Sequence, residues 1–231
     1  MDEIMTAAKH RADVFRVRNV LVATLTGRSA RLAKDTFGAG FDVFAVSNPT
    51  TAYERGLVYH KGMDEDTRRS LEAEGIRVVL ADQGLFQALT IGGQPYNVGA
   101  DLPSDVWRGA HKTFSDWRFL GDLGETARLC IEGQTSALWL MAHALGSILG
   151  DGPCVCIEIV LMAADSGMLP LDEDCIAVAR PHAESHAPDA ALVVHPQTAR
   201  AFLSVFRIKD LVLVPKEGDN WFADRPLWPN G

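Results

Sequence analysis

The chain has 231 residues, of which 47% are hydrophobic and 23% are charged, and its formal net charge is −8. A chain of this length is most simply one domain, residues 1–231, and it can bury roughly 70–75% of its unfolded surface. Nucleic acids and anionic membranes attract positively charged surfaces, so the net negative charge and the absence of any basic block argue against both as partners.

The alternation of helix and strand patterns predicts an α/β domain. In chain order the first part reads as helix 4–14, strand 20–23, helix 28–37, strand 41–46, helix 64–74 and strand 76–81. Sequential strand–helix–strand units of this spacing require a three-layer arrangement, in which a mostly parallel sheet carries helices on both faces.

The first predicted strand runs directly into a short turn, Thr24–Ser29, that precedes a helix. Hydroxyls, a glycine, an arginine and the free N–H groups of a helix start together suit a phosphate. The alternative is an ordinary strand-to-helix connection capped by Thr26 or Ser29. The candidate phosphate ligands are Thr24, Thr26, Gly27, Arg28 and Ser29.

Polar residues also follow the next two predicted strands. Asn48 and Thr50 come after strand 41–46, and Gln83 comes after strand 76–81. Open α/β sheets bind ligands at the carboxyl ends of their strands, so we expect these three side chains to complete the binding site.

The segment 153–167 is ambiguous, because its first half alternates like a strand. Asp151, Pro153 and Gly167 are placed like an N-cap, a first-turn proline and a C-terminal glycine, which favours a helix. Glu158 would then lie within an apolar helix, where a carboxylate needs a partner. Either a neighbouring loop or a ligand would supply it. The remaining predictions are a core helix over 133–150 and strands over 175–179, 191–194 and 211–214.

The four cysteines lie in apolar segments, at spacings that match no zinc or redox motif, and we expect buried thiols in a reducing compartment. The first residues lack the basic and apolar regions of a signal peptide. These two features predict a cytoplasmic location, and no metal site is expected. The cysteines are Cys130, Cys154, Cys156 and Cys175.

Two parts of the sequence resemble a known family. Residues 24–30, Thr-Leu-Thr-Gly-Arg-Ser-Ala, resemble the Thr-x-Ser-Gly-Arg-Ser/Thr-Ala loop that holds a sugar-phosphate effector in the C-terminal domain of pyruvate kinases. Residues 154–170, 174–178 and 189–194 are similar to the standalone pyruvate kinase alpha/beta domain-like proteins, which lack the catalytic barrel. The likeness covers roughly 20–83 and 145–215, and it agrees with a helix over 153–167.

The resemblance implies the fold of the pyruvate kinase C-terminal domain and a bound flavin mononucleotide (FMN). Its phosphate would lie on Thr24–Ser29 and its ring near Asn48, Thr50 and Gln83. Because the residues of the barrel active site are absent, no pyruvate kinase activity is expected.

The loop 179–191 departs from the glycine-rich loop of the family. It contains His182 and His186 four residues apart, with Arg180 nearby. Three interpretations of these histidines are open: two metal ligands, a general acid/base or flavin contact, and part of a solvated loop. We expect Arg180 and His182 to be the catalytic residues that stabilise reduced flavin.

Two aromatic segments lie outside the stretches that resemble the family. Residues 92–124, which are longer than the family connection, are expected to be an insertion that forms a lid, a binding loop, a partner surface or a satellite cluster. The C-terminal tail, 216–231, also carries aromatics that suit an interaction patch, which suggests a homo-oligomer, most simply a homodimer.

The sequence therefore predicts an FMN-dependent oxidoreductase or monooxygenase that acts on a small molecule. The alternative is a non-catalytic sensor or carrier of a phosphorylated ligand, either a sugar phosphate or a nucleotide. A serine hydrolase is a third hypothesis, although no Gly-x-Ser-x-Gly motif supports it.

Overall fold

A computed structural model describes residues 2–50, 62–81, 151–180 and 189–214, together with 90–91, 94–95 and 149. Its helices are α1 (Glu3–Phe15), α2 (Arg28–Phe37), α3 (Glu65–Ala73), α4 (Asp151–Asp165) and α5 (Phe202–Val205), the last preceded by a 3-10 turn at Ala199–Ala201. Its strands are β1 (Asn19–Ala23), β2 (Asp42–Ser47), β3 (Arg77–Leu80), β4 (Thr90–Ile91), β5 (Gln94–Pro95), β6 (Cys175–Ala179), β7 (Asp189–His195) and β8 (Arg207–Val214).

Six of these strands form one mixed sheet in the order β3-β2-β1-β6-β7-β8. The first four are parallel neighbours, whereas β7 runs antiparallel to both β6 and β8. The two short strands β4 and β5, which the sequence did not predict, form a separate antiparallel pair. The prediction of a mostly parallel sheet is confirmed, and β1 lies between strands that come from the two halves of the chain.

Helices cover both faces of this sheet. Leu21 belongs to the core that α4 covers, whereas its neighbours Val20 and Val22 belong to the core that α1 and α2 cover. Successive side chains of a strand point to opposite faces, so a strand covered on both sides needs a continuous apolar run. The predicted three-layer α/β fold is confirmed.

The helix ends follow the capping signals in the sequence. Asp2 Oδ1 accepts a hydrogen bond from the Met5 N–H at 3.3 Å at the start of α1, and Asp64 Oδ1 accepts one from the Thr67 N–H at 2.7 Å at the start of α3. The predicted bounds of α2 match residue for residue, with Gly38 as its C-cap.

The segment 153–167 lies in a helix, α4, as predicted. The Cys156 thiol lies 3.4 Å from the Ala177 carbonyl oxygen, which places this side of α4 on the sheet. Asp151 is not the N-cap residue that the sequence predicted, because Leu149 is already helical. Cys154, Cys156 and Cys175 are buried, as expected, and burial raises the pKa of Cys156 and Cys175.

Several predicted segments lie outside the described residues. These include Cys130, the tail 216–231, the insertion 92–124 apart from Gln94–Pro95, and the core helix 133–150 apart from Leu149. Within the ranges that the structure describes, no helix combines the length and the apolar character needed to cross a bilayer.

Candidate phosphate-binding site

The carboxyl ends of four parallel strands meet at one edge of the sheet. The register pairs Ala23 with Val46, Ser47 with Leu80, and Val22 with Val178. The residues that follow β1, β2 and β6 therefore lie at neighbouring positions along this edge. They are Thr24, Asn48 and Arg180.

The turn after β1 begins with a buried residue and then reaches the surface. Thr24 extends the sheet by one further hydrogen bond, in which its N–H donates to the Val46 carbonyl oxygen at 3.1 Å. Thr26 and Arg28 are exposed and Ser29 is half-buried. The predicted phosphate ligands thus lie together, with two of them directly accessible from solvent.

Helix α2 starts at this turn without a side-chain cap. Gly27 is its N-cap residue, and within the described part of the chain no side chain accepts a hydrogen bond from the first turn. The N–H groups of Arg28, Ser29 and Ala30 have no intrahelical acceptors, because a helix leaves its first N–H groups unpaired. Neither Thr26 nor Ser29 is therefore the N-cap residue that the alternative prediction named.

Arg28 adds a cation to this helix start. Its side chain is exposed, and among the described residues no carboxylate forms an ion pair with it. The positive end of the helix dipole, three N–H groups without acceptors in the helix, and a guanidinium all favour an anion at the same place.

Gly27 is required for both its conformation and its surroundings. Its φ of 78° lies in the left-handed region, which strongly favours glycine. A Cβ atom at this position would lie 3.0 Å from Arg31 Nη1 and 3.1 Å from a Leu71 methyl group. The turn is therefore packed directly against α3, which carries Leu71.

Asn48 contributes a buried polar group to the same edge. Its side chain is 6% exposed, and Oδ1 has no hydrogen-bond partner among the described residues. Its backbone carbonyl oxygen accepts from the Met63 N–H at 3.0 Å, and a Cβ on Gly62 would collide with that backbone. A buried acceptor without a partner is costly, so a ligand that donates a hydrogen bond to it would be favoured.

The other predicted ring contacts are only partly described. Thr50 is half-buried at the start of a helical segment after β2. Gln83 lies outside the described residues, so its predicted contact with a ligand stays a prediction.

Arg180 lies at the predicted edge but forms ion pairs with two carboxylates. Its Nη1 is 2.6 Å from Asp2 Oδ2, and its Nε is 3.3 Å from Asp189 Oδ2. Since Asp2 also caps α1, this arginine connects the start of α1 to the end of β6 and the start of β7. His182 and His186 lie outside the described residues.

Glu158 is buried in α4, two residues from Cys156 and therefore on the side of the helix away from the sheet. Its side chain is 3% exposed, and Oε1 has no hydrogen-bond partner among the described residues. Burial raises the pKa of this carboxyl group well above its ordinary value.

Two side-chain clusters were not predicted from the sequence. Arg31 of α2 pairs with Glu74, which follows α3. At the opposite edge of the sheet, Asp174 contacts both His195 and Lys209. The members of each cluster are distant in sequence, and no local pattern relates them. Within the ranges described, no three His, Cys, Asp or Glu side chains are placed to hold a metal ion.

No family model matches the sequence. Among solved structures, the chain is similar to "Cryptosporidium parvum pyruvate kinase in complex with ADP", with 10% identity and a TM-score of 0.32. The match covers 92% of this chain and 23% of that chain, so the present chain spans less than a quarter of that pyruvate kinase.

Proposed function

We propose that this protein binds FMN through the phosphate group at the start of α2 and catalyses a redox reaction of a small molecule. The phosphate site is supported by the first turn of α2, which no described side chain caps, and by the adjacent Arg28, which forms no ion pair among the described residues. This turn lies at the carboxyl edge of a parallel sheet, where α/β proteins bind their ligands.

The residues of the turn suit the roles that a phosphate requires. The N–H groups of the first turn and the hydroxyls of Thr26 and Ser29 donate hydrogen bonds, and Arg28 supplies charge. The buried Oδ1 of Asn48 accepts a hydrogen bond from a donor group of the ligand. FMN, when bound, would supply the redox chemistry, and these residues would bind and orient it.

The choice of FMN among phosphorylated ligands rests on the resemblance of the sequence to the standalone pyruvate kinase alpha/beta domain-like proteins. The same resemblance supports membership in that family. The predicted catalytic residues, Arg180 and His182, belong to this proposal.

One observation favours a second candidate, a non-catalytic sensor or carrier of a phosphorylated ligand. The guanidinium of Arg180 already forms ion pairs with Asp2 and Asp189. A cation whose charge is balanced in this way stabilises developing negative charge less than a free one. The phosphate site is common to both candidates.

The first experiment is the absorption spectrum of the purified protein, followed by heat release and mass identification of any bound small molecule. FMN and riboflavin are then titrated into stripped protein. Because riboflavin lacks the phosphate, we expect FMN to bind at least about 10-fold more tightly. Release of a sugar phosphate or another nucleotide, without FMN uptake, would support the sensor or carrier instead.

Arg28→Ala tests the position of the phosphate. We expect the affinity for FMN to fall about 10-fold or more, since a charge-assisted hydrogen bond is lost. Arg18→Ala is the matched control, because Arg18 is an exposed arginine that precedes β1 at the opposite edge of the sheet. Equal affinity of Arg28→Ala and wild type for every phosphorylated ligand tested would contradict both candidates.

A further inference from the structure

The second turn of α2 carries an arginine that is held in place from outside the helix. Arg31 Nε donates to both carboxylate oxygens of Glu74, at 2.9 and 3.0 Å, and its Nη2 donates to Ser70 Oγ at 2.9 Å. Ser70 Oγ in turn donates to Glu74 Oε1 at 3.1 Å. We call these three residues the α2–α3 clasp.

The clasp joins two helices that have no other ion pair between them among the described residues. Arg31 belongs to α2, Ser70 to α3, and Glu74 is the C-cap residue of α3. The guanidinium forms two hydrogen bonds to the Glu74 carboxylate and one to the Ser70 hydroxyl. Three bonds fix its orientation, whereas an isolated surface ion pair does not. Its hydrogen bonds lower the pKa of Glu74, so the carboxylate stays ionised at neutral pH.

The same guanidinium lies against the turn that begins α2. A Cβ atom on Gly27 would come within 3.0 Å of Arg31 Nη1 and 3.1 Å of the buried Leu71 side chain. In addition, the Arg31 N–H donates to the Gly27 carbonyl oxygen at 3.0 Å. Gly27 is therefore confined by α3 through Leu71, and by the clasp through Arg31.

We propose that Arg31 is a positioning residue for the anion-binding turn, and that the clasp couples the position of α3 to ligand affinity. This inference rests on the proposed phosphate site at the start of α2. Pre-organised N–H groups bind an anion more tightly, because no free energy is spent on ordering them during binding.

Arg31 acts through Gly27 rather than as a ligand. Its Nε and Nη2 donate to Glu74 and Ser70, and the remaining nitrogen, Nη1, lies next to the Gly27 backbone. A role through charge alone would survive in Arg31→Lys, whereas a role through the planar three-point geometry would not.

The test compares Glu74→Gln with Glu72→Gln. Both glutamates are on or beside α3 and form an ion pair with an arginine, but Glu72 contacts Arg68 of the same helix and does not reach α2. Affinity is measured by titration of FMN and of inorganic phosphate into the full chain. We expect Glu74→Gln to weaken both probes about 3- to 10-fold and Glu72→Gln to change them less than about 2-fold.

Arg31→Lys and Arg31→Ala complete the test, with thermal unfolding recorded for every variant. We expect Arg31→Lys and Arg31→Ala to weaken binding to the same extent. We expect Glu74→Gln and Glu72→Gln to shift the midpoint of thermal unfolding by similar amounts. Wild-type affinity in Glu74→Gln or in Arg31→Lys would overturn the positioning role, even if Arg28→Ala confirms the phosphate site. If wild type binds neither probe, the proposed function fails first.

Discussion

Gly27 combines a left-handed backbone with neighbouring side chains that would crowd a Cβ atom. Its φ is 78°, and the nearest side-chain atoms belong to Arg31 and to Leu71, which is completely buried. In the sequence, Gly27 was one of the residues that suited a phosphate site. The structure adds a second reason, because the residue is also the contact between the turn and α3.

We expect Gly27→Ala to destabilise the fold more than Gly167→Ala. Gly167 has a φ of 72°, but a Cβ atom added there would have no heavy atom within 4 Å. Gly167→Ala therefore measures only the free-energy cost of a left-handed backbone at a residue with a side chain, about 1–2 kcal/mol. Gly27→Ala adds crowding of about 1–3 kcal/mol. Urea unfolding measures both. Equal losses would show that the contact with α3 relaxes freely.

Glu158 is a carboxyl group whose protonation is linked to folding. Burial raises its pKa in the folded state above the ordinary value of about 4.5. Between these two pKa values the folded state keeps a proton that the unfolded state has released, so stability falls as the pH rises. The slope is at most about 1.4 kcal/mol per pH unit.

Glu158→Gln should remove this pH dependence. We expect the free energy of unfolding of wild type, relative to the variant, to decrease as the pH rises above the ordinary carboxyl pKa of about 4.5. Asp35→Asn is the control, because it also replaces a carboxyl group by an amide, but on an exposed residue of α2. A constant difference for Glu158→Gln would mean that Glu158 is ionised in the folded protein.

At the scale of the elements, the helices and strands were predictable where local signals agreed. The bounds of α2 and β6 match the predictions, since each is set by turn residues and apolar pattern. The predicted strands 191–194 and 211–214 were too short, because most of the residues that extend β7 and β8 beyond these bounds are polar and are held in the strands by pairing across the sheet. α4 needed capping signals to overrule a strand-like pattern.

The candidate site was predictable only where it is contiguous in sequence. Thr24–Ser29 lie together because they form one turn. Asn48 was expected at the same edge because parallel strands end together, and the register confirms this position. The pairing of Arg180 with Asp2 and Asp189 was not predictable, since it joins residues from distant parts of the chain.

At the scale of the molecule, the described sheet has two separate cores, one on each face. Leu21 lies in one and Ile176 in the other, and both side chains are completely buried. Since neighbouring central strands carry both residues, damage to either core should weaken the same sheet. The prediction of one domain over 1–231 can be tested on this basis.

We expect Leu21→Ala and Ile176→Ala each to cost about 2–5 kcal/mol, and each to leave a single unfolding transition. Circular dichroism follows the helices and sheet. Tryptophan fluorescence follows the rest of the chain, because all five tryptophans lie outside the described residues. Transitions that separate between the two signals would contradict one cooperative domain. The homodimer and the cytoplasmic location stay predictions.

Local patterns in the chain were enough to establish the α/β class, the order of the main elements and the turn after β1, because apolar periodicity, caps and glycines act over a few residues. The antiparallel course of β7, the burial of Glu158 without a described hydrogen-bond partner for Oε1, and the contacts of Arg31 and Arg180 emerged only from the folded structure. These depend on which distant segments meet across the sheet, and side chains that meet only after folding leave no local pattern in the sequence.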